Sequence, residues 1–252
     1  HYSSRRQRQM CIRDSDYSDS GGDLSSSRGM GAALCNETRG LFAGAAAPAY
    51  TNPIEYVTIS ALGNSIDFGD ISYGKAGYAY GFSSTTRGII AGGVRVNTPD
   101  TDSYNEVGFV TISSTGNTTD FGDLNYDKYE GGAGSSATRG VVMAGYGPNY
   151  THMIEFCTMA TTGNFIDFGD LTNLNGNGKY SASSKTRAVV GGGYSTPQAD
   201  YSNTIEFVNI ATTGNGVDFG DFINFGRRAS SFNNSCNGCL LYTSDAADDW
   251  SS

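Results

Sequence analysis

Apolar residues recur along the chain in short runs separated by glycine-rich polar turns, a pattern that predicts β-strands rather than helices. In the most regular run the apolar side chains fall on both faces of the predicted strand, as in a strand that is covered on two sides. This run occurs four times, at residues 54–59, 107–112, 154–159 and 205–210. The pattern therefore predicts an all-β repeat protein in which helix is nearly absent.

Three further predicted strands accompany each of these runs. A Thr-Arg segment rich in branched residues and glycine comes before it, at 38–44, 86–93, 138–145 and 186–193. A Gly-Asn dipeptide, suited to the positive φ of a tight hairpin turn, follows it and leads into an Asp-Phe-Gly-Asp strand. A stretch that ends in Ser-Ser closes the unit. These tetrapeptides are residues 67–70, 120–123, 167–170 and 218–221.

Successive tetrapeptides start about 50 residues apart, a period typical of propeller blades rather than of the shorter helical repeats. We predict that each unit folds as one four-stranded antiparallel sheet and that the chain holds four complete units plus partial ends. Gly22 and Asp23, followed by Ser26 and Ser27, read as the tail of a preceding unit. The tetrapeptide phenylalanines are expected to fill the space between sheets: Phe68, Phe121, Phe168 and Phe219.

The repeats define one domain over residues 16–240, whereas residues 1–15 and 241–252 share nothing with them. Both ends resemble peptides encoded by sequencing-adapter DNA at the ends of metagenomic fragments. We therefore expect residues 1–15 and 243–252 to pack on nothing, so that deleting both segments leaves the melting temperature unchanged.

Composition narrows the possible partners. The net charge of −9 argues against binding a nucleic-acid backbone, which requires clustered Lys and Arg. No apolar run is long enough to span a membrane, and no signal peptide is visible. Cys236 and Cys239 form a single C-x-x-C pair without a second pair of ligands, so no metal site or cofactor is predicted.

Glycine pairs such as Gly92-Gly93, in units of about 50 residues, resemble kelch-type β-propeller blades. The tryptophan expected in kelch repeats is missing, since Trp250 lies in the end segment. The Thr-Arg-Gly, Ile-Glu-Tyr-Val-Thr-Ile, Thr-Gly-Asn and Asp-Phe-Gly-Asp-Leu motifs are similar to repeats of kelch-like virion or tail-fibre proteins of marine bacteriophages, over about residues 22–240. This resemblance implies a virion or extracellular location, other virion proteins as partners, and no catalytic residues.

The recurring charged residues are interpreted as structural. Asp-Phe-Gly also binds magnesium in protein kinases, but a kinase has it once and needs further motifs that this chain lacks. The tetrapeptide aspartates are expected to accept hydrogen bonds from turn amides, with calcium binding as the alternative. The Thr-Arg arginines are expected to pair with Glu55, Glu155 and Glu206, and with Glu106 in the second unit; an anion-binding ring of arginines is the alternative. These residues are Asp67, Asp120, Asp167, Asp218, Arg39, Arg87, Arg139 and Arg187.

Recognition is predicted in the loops that vary while the units repeat, at residues 45–53, 94–106, 146–153 and 194–204. We predict a non-catalytic structural or binding propeller whose four loops gather on one face and recognise a surface glycan or protein. The alternatives are a cellular kelch-like scaffold and a glycan-active enzyme, which would need a pair of carboxylates in one unit. The candidate binding residues are Tyr50, Asn52, Tyr104, Asn105, Tyr150, His152, Tyr201 and Asn203.

Overall fold

The computed structural model describes residues 22–97, 100–148, 150–172, 179–195, 200–223 and 232–233. Within these residues the regular structure is entirely β, which confirms the predicted fold class, and no helix could cross a membrane. The end segments 1–15 and 241–252, and the pair Cys236 and Cys239, lie outside the described residues.

Four antiparallel four-stranded sheets form the four blades of a β-propeller. Blade 1 contains β1 (Ala32–Cys35), β2 (Arg39–Ala45), β3 (Thr51–Thr58) and β4 (Ile66–Asp70). Blade 2 contains β5 (Tyr80–Ser83), β6 (Arg87–Ala91), the separate hairpin β7 (Val94–Asn97) and β8 (Asp100–Ser103), then β9 (Glu106–Thr111) and β10 (Thr119–Asp123). In each blade the first strand lies nearest the propeller axis and the last strand lies farthest from it.

Blade 3 contains β11 (Gly132–Ser135), β12 (Arg139–Tyr146), β13 (Tyr150–Thr158) and β14 (Ile166–Asp170). Blade 4 contains β15 (Tyr180–Ser183), β16 (Arg187–Gly191), the hairpin β17 (Tyr194–Ser195) and β18 (Asp200–Tyr201), then β19 (Thr204–Asn209) and β20 (Val217–Asp221). A short strand β21 (Phe232–Asn233) runs parallel to β15. The first strands of the blades form the inner wall, where β1 packs against β5, β5 against β11 and β11 against β15.

Each blade begins one strand earlier in the chain than the predicted unit does. The Ser-Ser stretch begins a blade instead of closing one, because the short turn 84–86 brings Ser83 opposite Gly88 on the following Thr-Arg strand. In blade 1 the corresponding inner-strand position is Cys35, which pairs with Gly40, so Ser26 and Ser27 are not the counterparts of the later Ser-Ser pairs.

The tetrapeptide phenylalanines occupy the space between blades, as predicted, in three of four cases. Phe68, Phe121 and Phe168 are only 2%, 2% and 3% exposed. Each ring meets an aromatic ring of the neighbouring strand edge-on, with centroids 5.8–6.0 Å apart. Phe219 of blade 4 is 57% exposed, so the prediction was wrong for this residue.

The Gly-Asn dipeptide fastens each blade to the one before it. Gly116 donates its N–H to the Phe68 carbonyl oxygen at 2.6 Å, and Thr118 donates to the Asp70 carbonyl oxygen at 2.9 Å. In return, the Asp70 N–H donates to Asn117 Oδ1 at 3.0 Å. We call this set of three hydrogen bonds the turn joint.

The turn joint recurs at the next two boundaries. Gly163 and Gly214 donate to the carbonyl oxygens of Phe121 and Phe168, and Asn164 and Asn215 accept from the outer-strand aspartate N–H. Gly22 and Asp23 occupy the same place against Asn64, so their assignment to a preceding unit is confirmed. The dipeptide glycines have positive φ as predicted, but the connection between β3 and β4 in blade 1 spans residues 59–65 and is not a two-residue hairpin.

The glycine of the tetrapeptide is required by this joint. Gly69 has φ +143°, and a Cβ built there would lie 2.4 Å from the Gly116 carbonyl oxygen. The aspartate carboxylates contribute less than predicted. Asp67, Asp120, Asp167 and Asp218 are exposed. In the described residues only Asp218 accepts the expected backbone N–H, from Gly220 at 3.0 Å.

Buried glutamates form a second link between blades. Each carboxylate accepts the N–H of the residue two positions beyond the preceding outer strand, at 2.7–3.1 Å. A cation near the entrance of the same blade compensates the charge: Arg28 pairs with Glu55, and Lys128 Nζ lies 2.5 Å from Glu155 Oε2. The pairs of glutamate and N–H donor are Glu55 with Ser25, Glu155 with Asn125, and Glu206 with Thr172.

Blade 2 replaces this charge pair with neutral residues. Gly108 stands at the glutamate position and buried Ala76 at the cation position, while Thr118 Oγ1 accepts the Ser72 N–H at 2.8 Å. The predicted pairing of the glutamates with the Thr-Arg arginines was therefore wrong, as was the proposed compensation by Glu106. The Thr118 hydroxyl group accepts the same backbone hydrogen bond as the carboxylates of the other blades, but it carries no charge.

Lys179 provides a pH-dependent contribution to stability. Its Nζ is buried and donates to the Gly192 carbonyl oxygen at 3.1 Å, and burial lowers its pKa to about 8 despite the charge of Glu206. Since the unfolded lysine titrates near 10.5, the unfolded chain binds more protons above pH 8, and raising the pH favours the folded state.

We expect the free energy of unfolding to rise by about 1 kcal/mol between pH 8 and pH 9 through this group. Urea denaturation at several pH values should show this slope in the parent and its loss in Lys179→Met. The range stops at pH 9 because burial raises the pKa of Cys157 to about 12, so ionisation of the unfolded thiol around pH 9 increasingly opposes the effect of Lys179 as the pH rises. An unchanged slope in the variant would contradict the assignment.

Candidate functional site

The variable loops lie on one face of the propeller, here called the loop face. Because the strands of each blade are antiparallel, the loops between the second and third strands emerge where the inner strands begin. Three backbone hydrogen bonds between blades confirm that these entrances converge: Tyr78 N–H donates to Met30 O, Glu130 N–H to Tyr78 O, and Lys179 N–H to Glu130 O. The four loops therefore lie side by side on the loop face, in blade order, next to the opening along the axis.

The residues at these entrances share an unusual backbone conformation. Met30, Tyr78 and Glu130 have φ of 63°, 56° and 58°, in the left-handed region that non-glycine residues seldom adopt. Each stands five residues before the end of its inner strand. The inter-blade hydrogen bonds hold this conformation, and it places these three residues at the rim of the opening.

A tyrosine cluster occupies the rim. The rings of Tyr78 and Tyr129 are 6.2 Å apart, and those of Tyr129 and Tyr146 are 5.3 Å apart. Tyr50 joins them from blade 1: burial, followed by the proximity of Tyr78 and Glu130, raises the pKa of its hydroxyl. We define the rim site as Tyr50, Tyr78, Tyr129, Tyr146 and Glu130.

Among the predicted tyrosines whose side chains the structure describes, only Tyr50 belongs to the rim site. Tyr104 is 9% exposed and packs on Tyr73, with ring centroids 5.6 Å apart, so it supports the loop instead of facing a ligand. Tyr201 is exposed and packs on Tyr194 in the blade 4 hairpin. The side chain of Tyr150 lies outside the described part of the structure.

The predicted amide and histidine residues hold strand ends together. The backbone carbonyl of each accepts the N–H of the residue after the outer strand, at 2.7–2.9 Å. Asn105 Nδ2 also donates to the Leu124 carbonyl oxygen, and His152 Nε2 lies 3.6 Å from Asp170 Oδ1. These residues are therefore beside the outer strands, not at the rim. The pairs are Asn52 with Ile71, Asn105 with Leu124, His152 with Leu171, and Asn203 with Phe222.

Tyr78, Tyr129 and Glu130 were not predicted because they lie in the connections between blades, not in the variable loops. Tyr78 and Glu130 each lie five residues before the first serine of a Ser-Ser pair, and this shared spacing was the available signal. The arrangement offers aromatic faces for stacking, phenolic hydroxyl groups for hydrogen bonds and one carboxylate whose charge acts on Tyr50 and Tyr80. These are the groups that bind sugar rings and their hydroxyls.

The Thr-Arg arginines lie at the opposite face, and three of them join blades. Each guanidinium stacks on an aromatic ring of its own blade, 4.4–4.6 Å from the centroid. Arg39, Arg87 and Arg139 also donate to carbonyl oxygens of the next blade, those of Ile112, Met159 and Ile210. Because these heads are held between blades, they do not form the anion-binding ring that was considered.

A pocket of about 500 Å³ opens at this opposite face. It lies where the turns between first and second strands of blades 2, 3 and 4 approach each other. In the described residues no group of three His, Cys, Asp or Glu side chains could hold a metal ion. The pocket is lined by residues that include Thr85, Thr138, Arg139, Lys185, Thr186 and Ala211.

Replacing Arg139 with alanine is expected to lower the free energy of unfolding by about 2 kcal/mol. The variant loses the stacking on Phe156 and the hydrogen bonds to the carbonyl oxygens of Ile210 and Ala211. Chemical denaturation measures the loss. The exposed Lys185→Ala change in the same pocket is the control and should stay within about 0.5 kcal/mol of the parent; equal losses would contradict the joining role.

The fold is shared with known proteins although the sequence is not. No family model and no curated protein matches the chain. Among solved structures, the chain is similar to one titled "Structure of YjhT", with a TM-score of 0.68 and 9% sequence identity, over 84% of this chain and 72% of that chain. At this identity the likeness shows the fold alone. It places the chain among the β-propellers.

Proposed function

We propose that this chain is a non-catalytic binding propeller that recognises a surface glycan through the rim site. The observation that carries the proposal is the tyrosine cluster with Glu130, assembled on the loop face from blade 1 and from the entrances of blades 2 and 3. Aromatic rings stack on the apolar faces of sugars, while the phenolic and carboxylate oxygens bind the sugar hydroxyl groups.

The proposed setting is a bacteriophage virion, with the chain as a tail-fibre-associated protein among other virion proteins. The motif resemblance supports this setting, since the repeats look like those of kelch-like virion proteins. The net charge of −9 is compatible with an extracellular surface and gives no support to a nucleic-acid partner. Peptide mass spectrometry of purified virions that carry this repeat is the direct test.

The binding proposal is tested with the double variant Tyr50→Ala and Tyr78→Asn. Asparagine tolerates the left-handed backbone at position 78, so the ring is removed while the rim keeps its shape. Against a panel of purified bacterial surface polysaccharides, we expect the parent to bind at least one and the variant to lose about tenfold or more in affinity. Tyr126→Ala removes an exposed tyrosine outside the rim site and should change affinity less than twofold.

The same samples distinguish the alternatives. Release of new reducing ends from the bound polysaccharide would show a glycan-active enzyme and overturn the non-catalytic part of the proposal. Equal binding by the parent and the double variant would remove the rim site from recognition. Binding to a host surface protein with no polysaccharide bound would favour a protein ligand instead of a glycan.

A further inference from the structure

The aromatic rings of the rim site are inclined to one another instead of lying in one plane. Tyr129 stands between two of them, with its plane at 45° to that of Tyr78 and at 80° to that of Tyr146. These three residues and Tyr50 are half-buried, so part of each remains open to solvent. A sugar ring stacks on one flat aromatic face, whereas inclined rings surround a compact, rounded group. The angles therefore favour a cage over a flat platform.

A carboxylate supplies the charge of the rim site. Glu130 is half-buried and follows Tyr129 in the chain. Burial raises the pKa of the Tyr50 hydroxyl, and the charges of Tyr78 and Glu130 add to the effect, so the carboxylate lies within electrostatic reach of the blade 1 ring. Because the faces of aromatic rings also carry negative potential, both kinds of group attract a cation and repel a phosphate or carboxylate.

The buried lysines of the neighbouring entrances are held by other groups. Lys128 precedes Tyr129 in the chain, but its Nζ lies 2.5 Å from Glu155 Oε2. The Lys179 N–H donates to the Glu130 carbonyl oxygen, yet the Nζ of this lysine donates to the Gly192 carbonyl oxygen at 3.1 Å. These two ammonium groups therefore serve the contacts between strands and blades, and neither supplies a cation to the rim.

The backbone holds two residues of the rim site in place before a ligand arrives. Tyr78 and Glu130 adopt φ of 56° and 58°. The Tyr78 N–H donates to Met30 O at 2.7 Å, and the Glu130 N–H donates to Tyr78 O at 3.1 Å, so three successive blades fix their positions. A site that is formed in advance loses less conformational entropy on binding, which allows it to hold a small group.

We propose that the rim site is an aromatic cage for a quaternary ammonium group, which the surface glycan carries as a substituent. This inference rests on the proposed function and names the part of the glycan that enters the site. A quaternary ammonium is weakly hydrated and has no N–H groups, so aromatic faces and one carboxylate satisfy it. A primary ammonium has three N–H donors and would require more acceptors. The four rings form the walls of the cage, and Glu130 balances the charge.

The first test compares choline with 3,3-dimethyl-1-butanol, which has the same shape but no charge. Titration of the full chain, followed by NMR, should show choline bound at least about tenfold more tightly, because the rings and the carboxylate attract only the ammonium. Glu130→Gln keeps the size of the side chain and removes its charge, so it should weaken choline binding about fivefold. Choline bound no more tightly than the neutral compound, or equally well by a folded Glu130→Gln variant, overturns the proposal.

A variant of the walls separates a cage from a simple charge effect. Tyr78→Asn removes one ring and keeps a residue that tolerates the left-handed backbone, so choline binding should weaken about fivefold. Tyr126→Ala, outside the rim site, is the control and should change the affinity by less than about twofold. The amide spectra of the same titrations report whether each variant is folded. Choline binding that Tyr78→Asn leaves unchanged would contradict the cage.

A second test separates this inference from the proposed function. Its probes are a bacterial polysaccharide substituted with phosphocholine and the same polysaccharide after removal of the phosphocholine. Binding at least about tenfold tighter to the substituted form supports the cage. Equal binding to the two forms, lost in the Tyr50→Ala and Tyr78→Asn double variant, overturns the cage and leaves the rim site as a glycan site.

The carrier of the ammonium group is tested in the same way. Choline bound by the parent, with neither form of the polysaccharide bound, would overturn the glycan as the carrier and the proposed function with it. A peptide that contains trimethyllysine is the remaining probe. Its binding in place of the polysaccharide would show that the ammonium group belongs to a protein.

Discussion

Replacing Gly122 with alanine is expected to lower the free energy of unfolding by about 4 kcal/mol. The residue has φ +136°, and its new Cβ would lie 2.5 Å from the carbonyl carbon and oxygen of Gly163. The strained backbone and the close contact both act at the boundary between blades 2 and 3. The contacted atoms belong to the backbone, so no flexible side chain could move away. Urea denaturation of the parent and of the variant, fitted with the same dependence of the unfolding free energy on urea concentration, measures the difference.

Gly220→Ala is the matched control for this prediction. Gly220 has nearly the same φ, +132°, and stands in the same tetrapeptide, but a Cβ there has open space around it. It should therefore cost only the backbone strain, about 1.5 kcal/mol. If the two variants lose the same stability, the turn joint contributes nothing beyond the conformational preference of glycine.

Replacing Glu155 with leucine is expected to cost about 3–5 kcal/mol, because it leaves the buried Lys128 ammonium without its partner. The two side chains are 0% and 1% exposed, and burial lowers the pKa of Lys128 in spite of the nearby carboxylate. The change also removes the acceptor of the Asn125 N–H. Equilibrium denaturation and a double-mutant cycle with Lys128→Met measure the effect.

The double variant Lys128→Met and Glu155→Leu should recover about 2 kcal/mol relative to Glu155→Leu alone, since no unpaired charge remains. Blade 2 already shows that a neutral pair is accepted at this position, with Ala76 and Gly108 in place of the two charges. As a control, Asp102→Ala breaks the solvent-accessible pair of Arg95 and Asp102 and should cost far less than Glu155→Leu. A double variant no better than the single one would show that the charge is not the source of the loss.

The sequence predicted the strands and the architecture because both depend on patterns within about 50 residues. The run at 54–59, the Gly-Asn turn and the tetrapeptide each specify a local conformation, and their repetition specifies the propeller. The phase of the blade could not be predicted in the same way. The strand that ends in Ser-Ser could pair with the strand before it or with the strand after it, depending on which connection is shorter. Residues 84–86 form a short connection, so this strand pairs with the following Thr-Arg strand.

The same reasoning could not predict the partners of the buried glutamates. Alternation along a strand indicates which side chains share a face, and it suggested an arginine on the adjacent strand. The observed partner of Glu155 is Lys128, which lies in the connection before the blade, where no periodicity applies. The arginine at 139 instead stacks on Phe156 and reaches the next blade.

The rim site was predicted only in part, for a related reason. Tyr50 stood out because it lies in a loop that varies between units. Tyr78 and Glu130 reach it from the entrances of two other blades, through backbone hydrogen bonds that exist only once the blades are assembled. A site built from three segments separated by about 30 to 50 residues is a property of the assembled ring, and no single stretch of sequence contains it.

The turn joint has a consequence for how genes of this kind change length. Every stretch of one full period encodes one turn that binds the preceding blade and one tetrapeptide that receives the following turn, wherever the stretch begins. Unequal recombination between two copies of the repeat therefore adds or removes a blade while it preserves the chemistry of the new boundary. Copy number can vary in this way without any new interface having to arise by point mutation.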